Sequence, residues 1–502
     1  METTTKKKKT VVLYPGVGVG HMAPILELAN ALLRHGALDV AVALVEPPVT
    51  DPGFPAAVAR AKATYPSVAF HVLPSPSPPA TASGEDHHMA VRLRHLRAMN
   101  PPLRDFLRAL VPPSIGALVL DMFCGDALDV AAELGIPAYF FFPSGGTGLA
   151  AFLALPGLRA GLTNGFSEDL GVDAVLTVPG APPFSVADLP AEMAGGDDAA
   201  NAMFRMGARM PESCGVLVNT FFSLEPRAIR ALRDGLCVAH GPTPPVYCVG
   251  PLVSPGGGGK EKEHDHECLR WLDGQPDRSV VFLCFGSMGA FSETQLHEIA
   301  VGLEKSGQKF LWVVRSPHAA GNLSGGEPLS ADLEDLDALL PVGFRDRTRD
   351  RGLVVSTWAP QSDVLRHRAT GAFVTHCGWN SVLECVVAGL PMLCWPMYAE
   401  QRLNKVWVVD EMKLGVEVIK TGSCCTHGDE EEDGIEVSAA EVEAKVRWVM
   451  ESEDDGARGL HERVAAARDG AAGALGEGGS SRADLLEFIR EFGEFQSKGT
   501  GS

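Results

Sequence analysis

No uninterrupted apolar stretch of about eighteen residues occurs in this chain, the length a membrane-spanning helix needs, so no membrane span is expected. Basic residues are scarce. The 502 residues carry 43 Lys and Arg against 63 Asp and Glu, a formal net charge of −20. A surface of that sign repels phosphate backbones, so nucleic acid is not an expected partner. The eleven cysteines include no C-x-x-C pair. An odd count at irregular spacing argues for reduced thiols, mostly core fillers, and for a cytoplasmic location. The N-terminus, METTTKKKKT, is basic but lacks an apolar core followed by a small-residue cleavage site. It does not read as a secretory signal.

What is present describes an ordinary globular protein, 45% hydrophobic and 21% charged. At roughly 100–200 residues per domain, the length calls for at least two cores. The first half alternates strand-like runs (TVVLYP, DVAVALVE, GALVLD and PAYFFF) with helix-like ones such as GDALDVAAELG. Pro24 fits the first turn of a helix and Gly36 its stop. A stretch rich in Gly, Pro and charge at 253–268 reads as a linker. The rhythm restarts with SVVFLCFGSMGAF, where Ser292 and Gln295 form a capping-box pattern, and continues through KFLWVV, LVVSTWAP, GAFVTH and LPMLCWP. The expected fold is α/β: two facing Rossmann-like domains with parallel sheets and a cleft between them. Residues 1–252 form the first domain and 269–480 the second, with 481–502 a C-terminal helix and tail packing back on the first. Ligands of open α/β sheets bind at the carboxyl ends of the strands.

Two segments carry chemistry. The first is PGVGVGH at 15–21. Its glycines follow a strand and precede a helix, as in a dinucleotide fingerprint, with Glu46 near the next strand's end as a possible ribose ligand. The fingerprint needs G-x-G-x-x-G, however, and here His21 stands in the last slot. A neutral imidazole at a strand's carboxyl end can take a proton from a substrate hydroxyl, better if a carboxylate orients it. Asp121, ending GALVLD, occupies an equivalent strand tip, whereas Asp126 and Asp129 fall on the following helix. The plainer reading of His21 is a polar helix-entry residue.

The second segment runs from Trp358 to Gln401, WAPQSDVLRHRATGAFVTHCGWNSVLECVVAGLPMLCWPMYAEQ. AFVTH ends a strand, CGWNS turns, and a helix follows. A helix N-terminus suits a phosphate. Gly378 permits close approach of backbone to ligand, and His376, Asn380 and Ser381 add side-chain donors. Glu384 suits paired sugar hydroxyls, and Trp358 offers a flat face to a base. The plainer reading is an ordinary βαβ unit whose polar groups cap a helix.

This segment resembles, over its whole length, the signature box of plant family 1 glycosyltransferases, which use UDP-sugars. PGVGVGHMAPILELA, FLCFGSMGAF and VADLP also resemble that family's motifs, so the likeness spans nearly the whole chain. The resemblance implies a GT-B fold and UDP-glucose as co-substrate, with no tightly bound cofactor and no metal. It implies that Trp358 stacks on uracil beside Gln361 and the Ala359 backbone, and that Glu384 binds the ribose. His376, Asn380, Ser381 and Ser287 would hold the diphosphate at Gly378, and Trp379, Glu400 and Gln401 the sugar. A Gln at 401 and Trp at 379 go with glucose donors, while Glu400 departs from the more frequent Asp. The catalytic pair would be His21 and Asp121, the retained Asp favouring O-glycosylation. The acceptor, a small lipophilic hydroxyl compound such as a flavonoid or other phenolic, would meet first-half loops. The candidates there are Gly20, Phe123, Phe142, Ser144 and Phe204, with core packing the alternative for the aromatics. The family also suggests a monomer.

Other signals are discounted. Asp335-Leu336-Asp337 is a D-x-D match, but it sits in an acidic loop, and HDHEC at 264–268 has no second cluster to complete a metal site. The rival functions are an NAD(P)-dependent oxidoreductase and a non-catalytic nucleotide-sugar binder. The second needs a broken His–Asp pair.

Overall fold

The structure, a computed structural model, describes residues 8–17, 19–34, 38–48, 53–76, 88–239, 241–254, 266–286, 288–315, 336–356, 359–418 and 437–494. The chain divides into two compact units. Met1–Val186, Ala191–Leu252 and Gly473–Ser502 form the first; Ala187–Pro190 and Val253–Ala472 form the second.

The first unit is built on a seven-stranded parallel sheet. Its strands are β1 (Lys9–Tyr14), β2 (Leu38–Leu44), β3 (Ala69–Val72), β4 (Ile115–Asp121), β5 (Ala138–Phe142), β8 (Val216–Val218) and β9 (Val246–Cys248). Between β5 and β8, the short strands β6 (Val175–Leu176) and β7 (Phe184–Ser185) pair antiparallel by themselves. Both faces of a parallel sheet are covered by helices, which is why its strands read as continuous apolar runs. All seven residues of β4 are buried. The sheet order is β3-β2-β1-β4-β5-β8-β9. The chain therefore works outward from β1, then returns to the other side at β4, and the β1/β4 boundary is the topological switch point where such sheets bind ligands.

The second unit repeats this plan with β10 (Val280–Cys284), β11 (Lys309–Val313), β12 (Gly352–Val355), β13 (Thr370–Thr375), β14 (Met392–Cys394) and β15 (Gly415–Glu417). Their order is β12-β11-β10-β13-β14-β15, with the switch point between β10 and β13. In both sheets the register slips near the start of this central pair, at Thr10/Val11 and at Val280/Val281.

Each unit has its own apolar core. The first is completed by the last helix, Ser480–Glu494. Its Phe488 is fully buried, 4.9 Å from the Tyr139 ring and 6.0 Å from that of Tyr247. Both tyrosine hydroxyls donate to Glu491, and Asp484 pairs with Arg233 at 2.5 Å while accepting from the Cys248 amide.

Local differences from the sequence reading have physical causes. The first helix starts at Val19, so Pro24 is its sixth residue rather than part of its first turn. Proline's fixed φ suits a helix, and only one bond, to the Gly20 carbonyl, is lost near the helix end. Ser292 caps its helix, accepting from the Gln295 amide at 3.2 Å. The Gln295 side chain also binds both backbone groups of Val437. Glu267 and Cys268, read as linker, begin the helix Glu267–Asp273, with Cys268 buried. Gly36 lies outside the described residues. The nine described cysteines are free thiols, eight of them buried. No helix among the described residues is long and apolar enough to cross a membrane.

Candidate active site

The first unit's switch point holds His21 and Asp121. His21 lies in the opening turn of the helix that follows β1, and Asp121 is the last residue of β4, the neighbouring strand. His21 Nδ1 is 2.7 Å from Asp121 Oδ2. The second oxygen, Oδ1, accepts the Phe123 amide at 3.0 Å. A carboxylate can only accept, so Nδ1 carries the hydrogen and Nε2 is the basic nitrogen. The Asp121 side chain is fully buried while that of His21 is 24% exposed, so a solute can reach the ring but not the acid behind it.

Gly16 explains part of the opening glycine pattern. A Cβ there would lie 2.6 Å from Asp121 Oδ1, so any larger residue would push into the carboxylate. The loop is narrow at the place where the acid must come up under the histidine. Phe123 packs on the other side, its ring 4.9 Å from that of His21. Asp126 and Asp129 do not compete for the imidazole, since Arg209 holds both, at 3.5 and 2.7 Å. Burial pushes the neighbouring Cys124 thiol well above its usual range, so it stays protonated.

The second unit's switch point holds His376. Its ring is wedged between two glycines, Gly286 after β10 and Gly378 after β13. A Cβ on either would come within 2.7 and 2.5 Å of Nε2 respectively. Gly286 also has φ +75°, a region that side chains disfavour. Burial lowers the His376 pKa to about 4, so the ring is neutral near pH 7. Its Nδ1 is buried without a partner. Cys377, next in the chain, adopts φ +66°, a strained conformation for a side chain. The turn is held from both ends: Thr375 Oγ1 accepts the Cys377 amide at 3.2 Å, and Asn404 donates to the Cys377 carbonyl at 2.9 Å. This turn aims the N-terminus of the helix Trp379–Ala388, with Trp379, Asn380 and Ser381 in its first turn and Gly378 at its N-cap.

Around that helix the other sequence candidates assemble. Gln361 Nε2 donates to Ser381 Oγ at 2.9 Å and to Glu384 Oε2 at 2.5 Å. Ser362 donates to the other Glu384 oxygen at 2.5 Å. Burial raises the Glu384 pKa, and these two bonds oppose the shift. Ala359 is buried beside Gln361. Gln401 is buried and spends its carbonyl oxygen on the Met397 and Tyr398 amides, at 2.9 and 3.0 Å, which leaves its amide hydrogens as what it can offer a ligand. Glu400 sits at the N-cap of the same helix, Gln401–Val406. Ser287 and Trp358 lie outside the described residues.

The acceptor candidates divide. Gly20 shares the first helical turn with His21. Phe123 touches the histidine ring, and Phe142 ends β5, whose Phe141 is the register partner of Asp121. Ser144 follows, its hydroxyl buried without a partner. Phe204 instead packs edge-on against Phe166 and lines a separate crevice of about 450 Å³ with Pro156 and Asn201. Glu46 is exposed, and its carbonyl accepts from His95 at 2.8 Å. Among the described residues no group of three or more His, Cys, Asp and Glu is placed to hold a metal. Asp337 of the D-x-D match is 3.4 Å from Arg345, and Asp335 lies outside the described residues. The sequence reading missed Asn404, Ser362 and the space-making roles of Gly16 and Gly286. Only the glycines left a trace in it, as members of glycine-rich loops after strands.

Known proteins resemble this chain over nearly its whole length. Residues 254–420 match the family described as UDP-glucoronosyl and UDP-glucosyl transferase. The anthocyanidin 5,3-O-glucosyltransferase of a Rosa hybrid cultivar is 42% identical, covering 96% of this chain and 98% of its own. UDP-glycosyltransferase 88B1 of Stevia rebaudiana is 39% identical with the same coverage. Among solved structures, Phytolacca americana UGT2 complexed with UDP-2fluoro-glucose and pterostilbene superposes with a TM-score of 0.81 at 32% identity, covering 97% of this chain and 100% of that one. Likeness of this extent removes the oxidoreductase reading. With two parallel-sheet α/β domains of the GT-B type, the chain belongs to the plant family 1 UDP-glycosyltransferases.

Proposed function

We propose that this enzyme is an inverting glucosyltransferase that moves glucose from UDP-glucose to a hydroxyl of a small phenolic, such as a flavonoid, giving a β-O-glucoside. The observation that carries the reading is the 2.7 Å pairing of His21 with a buried carboxylate at the carboxyl edge of the first sheet. His21 Nε2 takes the hydroxyl proton as the acceptor oxygen attacks the anomeric carbon. Asp121 holds the ring in the required tautomer and stabilises the imidazolium that forms. The C–O bond to UDP breaks as the new one forms on the opposite face, so an α-linked donor yields a β-glucoside.

The donor falls to the second unit. The N-terminus of the helix at Trp379, with His376, Asn380, Ser381 and Ser287, meets the diphosphate, whose charge grows as it leaves. The orphaned Nδ1 of His376 supports this assignment, because a buried polar atom without a partner is costly unless a ligand satisfies it. Glu384, already lined up by Gln361 and Ser362, takes the ribose hydroxyls. Trp358 stacks on the uracil, while Trp379, Glu400 and Gln401 address the sugar. A phenolic acceptor is supported by the rose relative's name and by the pterostilbene in the Phytolacca complex, both polyphenol cases.

The test is incubation with UDP-glucose and a panel of phenols, reading mass and released UDP. A gain of one hexose on at least one phenol, with one UDP per product, is expected. No UDP release with any acceptor would end this reading. A gain with UDP-galactose equal to that with UDP-glucose would remove the glucose assignment alone.

A further inference from the structure

The buried carboxylate of Glu225 has no role in the chemistry above. It is 2% exposed and stands just before the helix Pro226–Arg233. Its partners are neutral donors on other segments. Oε2 accepts the Gly146 amide at 2.7 Å and the Thr220 hydroxyl at 2.5 Å. Oε1 accepts the Thr147 amide at 2.8 Å and the Thr147 hydroxyl at 2.7 Å. Gly146 and Thr147 open the helix Gly146–Arg159, whose own N-cap residue, Gly145, has no side chain to cap it. The cap has been supplied from about eighty residues downstream in sequence, with a negative charge at the positive end of the helix. The fit is close: a Cβ on Gly146 would strike Ile229 Cδ1 at 2.6 Å.

That helix start fixes a short loop. Only Pro143, Ser144 and Gly145 separate it from the end of β5. β5 is the hydrogen-bonded neighbour of β4, and Phe141 lies in register with Asp121. Ser144 therefore follows three residues after the partner of the dyad's acid, at the same carboxyl edge, with its buried hydroxyl unpartnered. A buried hydroxyl left without a partner at that edge is costly unless a ligand atom satisfies it.

We propose that Glu225 is a positioning residue for transfer: by pinning the first turn of the 146–159 helix it holds the Ser144 hydroxyl beside the His21–Asp121 pair, where that hydroxyl meets the substrate. The assignment rests on the glucosyltransferase reading. Glu225 itself touches nothing that reacts. Its replacement by glutamine keeps the volume but sets an NH2 group against amide donors, which lets the loop drift. A misplacement of this kind costs rate far more than stability alone would.

The experiment compares E225Q with L107A, a core truncation in the helix Asn100–Ala109 that tests stability loss by itself. With the best phenol found, E225Q should lower acceptor kcat/KM by at least about tenfold. UDP affinity should stay within about twofold, because the second unit sets it. Amide exchange at Gly146 and Thr147 should accelerate. L107A should lower the melting temperature and leave kcat/KM near wild type. Should E225Q fail to fold, T220V, which removes one of the four bonds, decides by the same readouts with a smaller loss expected. Wild-type kcat/KM in the folded variant, or an equal loss in L107A, would overturn the positioning role while leaving the glucosyltransferase reading intact. A wild-type enzyme that transfers nothing would overturn both.

Discussion

His21 is not special by type. In the proposed reaction its neighbours make it a base: a carboxylate brought up under the ring by a glycine that leaves room for it. The consequence is testable at Asp121. Asp121→Asn preserves shape but presents an amide to Nδ1 and favours the wrong tautomer, so kcat should fall by roughly 10³- to 10⁴-fold. UDP affinity, measured by Trp quenching, should hold. A loss of less than about tenfold would mean the acid does not orient the base. His376 makes a different prediction, through stability. Its folded pKa of about 4 lies below the 6.5 of an unperturbed histidine. The unfolded chain therefore binds the proton first as pH falls, and the native state loses ground below about pH 6.5 until it too is protonated near pH 4. Between pH 7 and pH 5 this single group should remove about 2 kcal/mol, and His376→Gln should show correspondingly less acid sensitivity in urea titrations. That His21 and Asp121 would lie at equivalent strand ends, and that the 376–384 run would open a helix, was legible in the sequence. Their proposed roles came from the family resemblance, spacing alone leaving the plainer readings open. What was not legible is close approach. No pattern says that Gly16 must spare Asp121, that Gly286 must spare His376, or that Asn404 must hold the Cys377 carbonyl, because each depends on segments far apart in sequence.

At the scale of elements, each site is a strand end followed by a helix start, and helix starts were the least legible part of the sequence. Pro24 pointed to a helix beginning near it, yet the helix begins at Val19, which brings His21 into its first turn. The Ser292 cap was read correctly, while the contact of the Gln295 side chain with Val437, far along the chain, had no local signal. The helix at Gly146 carries no capping side chain of its own, so nothing local announces the carboxylate that caps it. Strands were easier, since apolar runs between glycines survive any tertiary context. The last helix, Ser480–Glu494, yields a prediction at this scale. Phe488 is buried against Tyr139 and Tyr247, so Phe488→Ala should destabilise the first unit by about 3–5 kcal/mol. Chemical denaturation followed by near-UV circular dichroism would show it. A change under about 1 kcal/mol would mean the helix contributes little to that core.

For the whole molecule, two sheets of the same plan each carry a set of candidate residues at the switch point. The first places the His21–Asp121 pair at its switch point, and the second places a helix N-terminus and a neutral histidine at its own. The α/β class and the duplication of the plan were visible in the alternation of strands and helices. The sheet orders were not, because strand adjacency is set by packing that no local signal records. The acidic surface, net charge −20, agrees with an enzyme for small molecules rather than for nucleic acid. The central claim is that His21 is the base of a glucosyl transfer whose donor is bound elsewhere in the chain. The most direct measurement is His21→Ala assayed side by side for hexose transfer to a phenol and for UDP binding. The account predicts transfer abolished and UDP affinity unchanged. Transfer retained at a substantial fraction of the wild-type rate, or UDP binding lost together with it, would contradict the account.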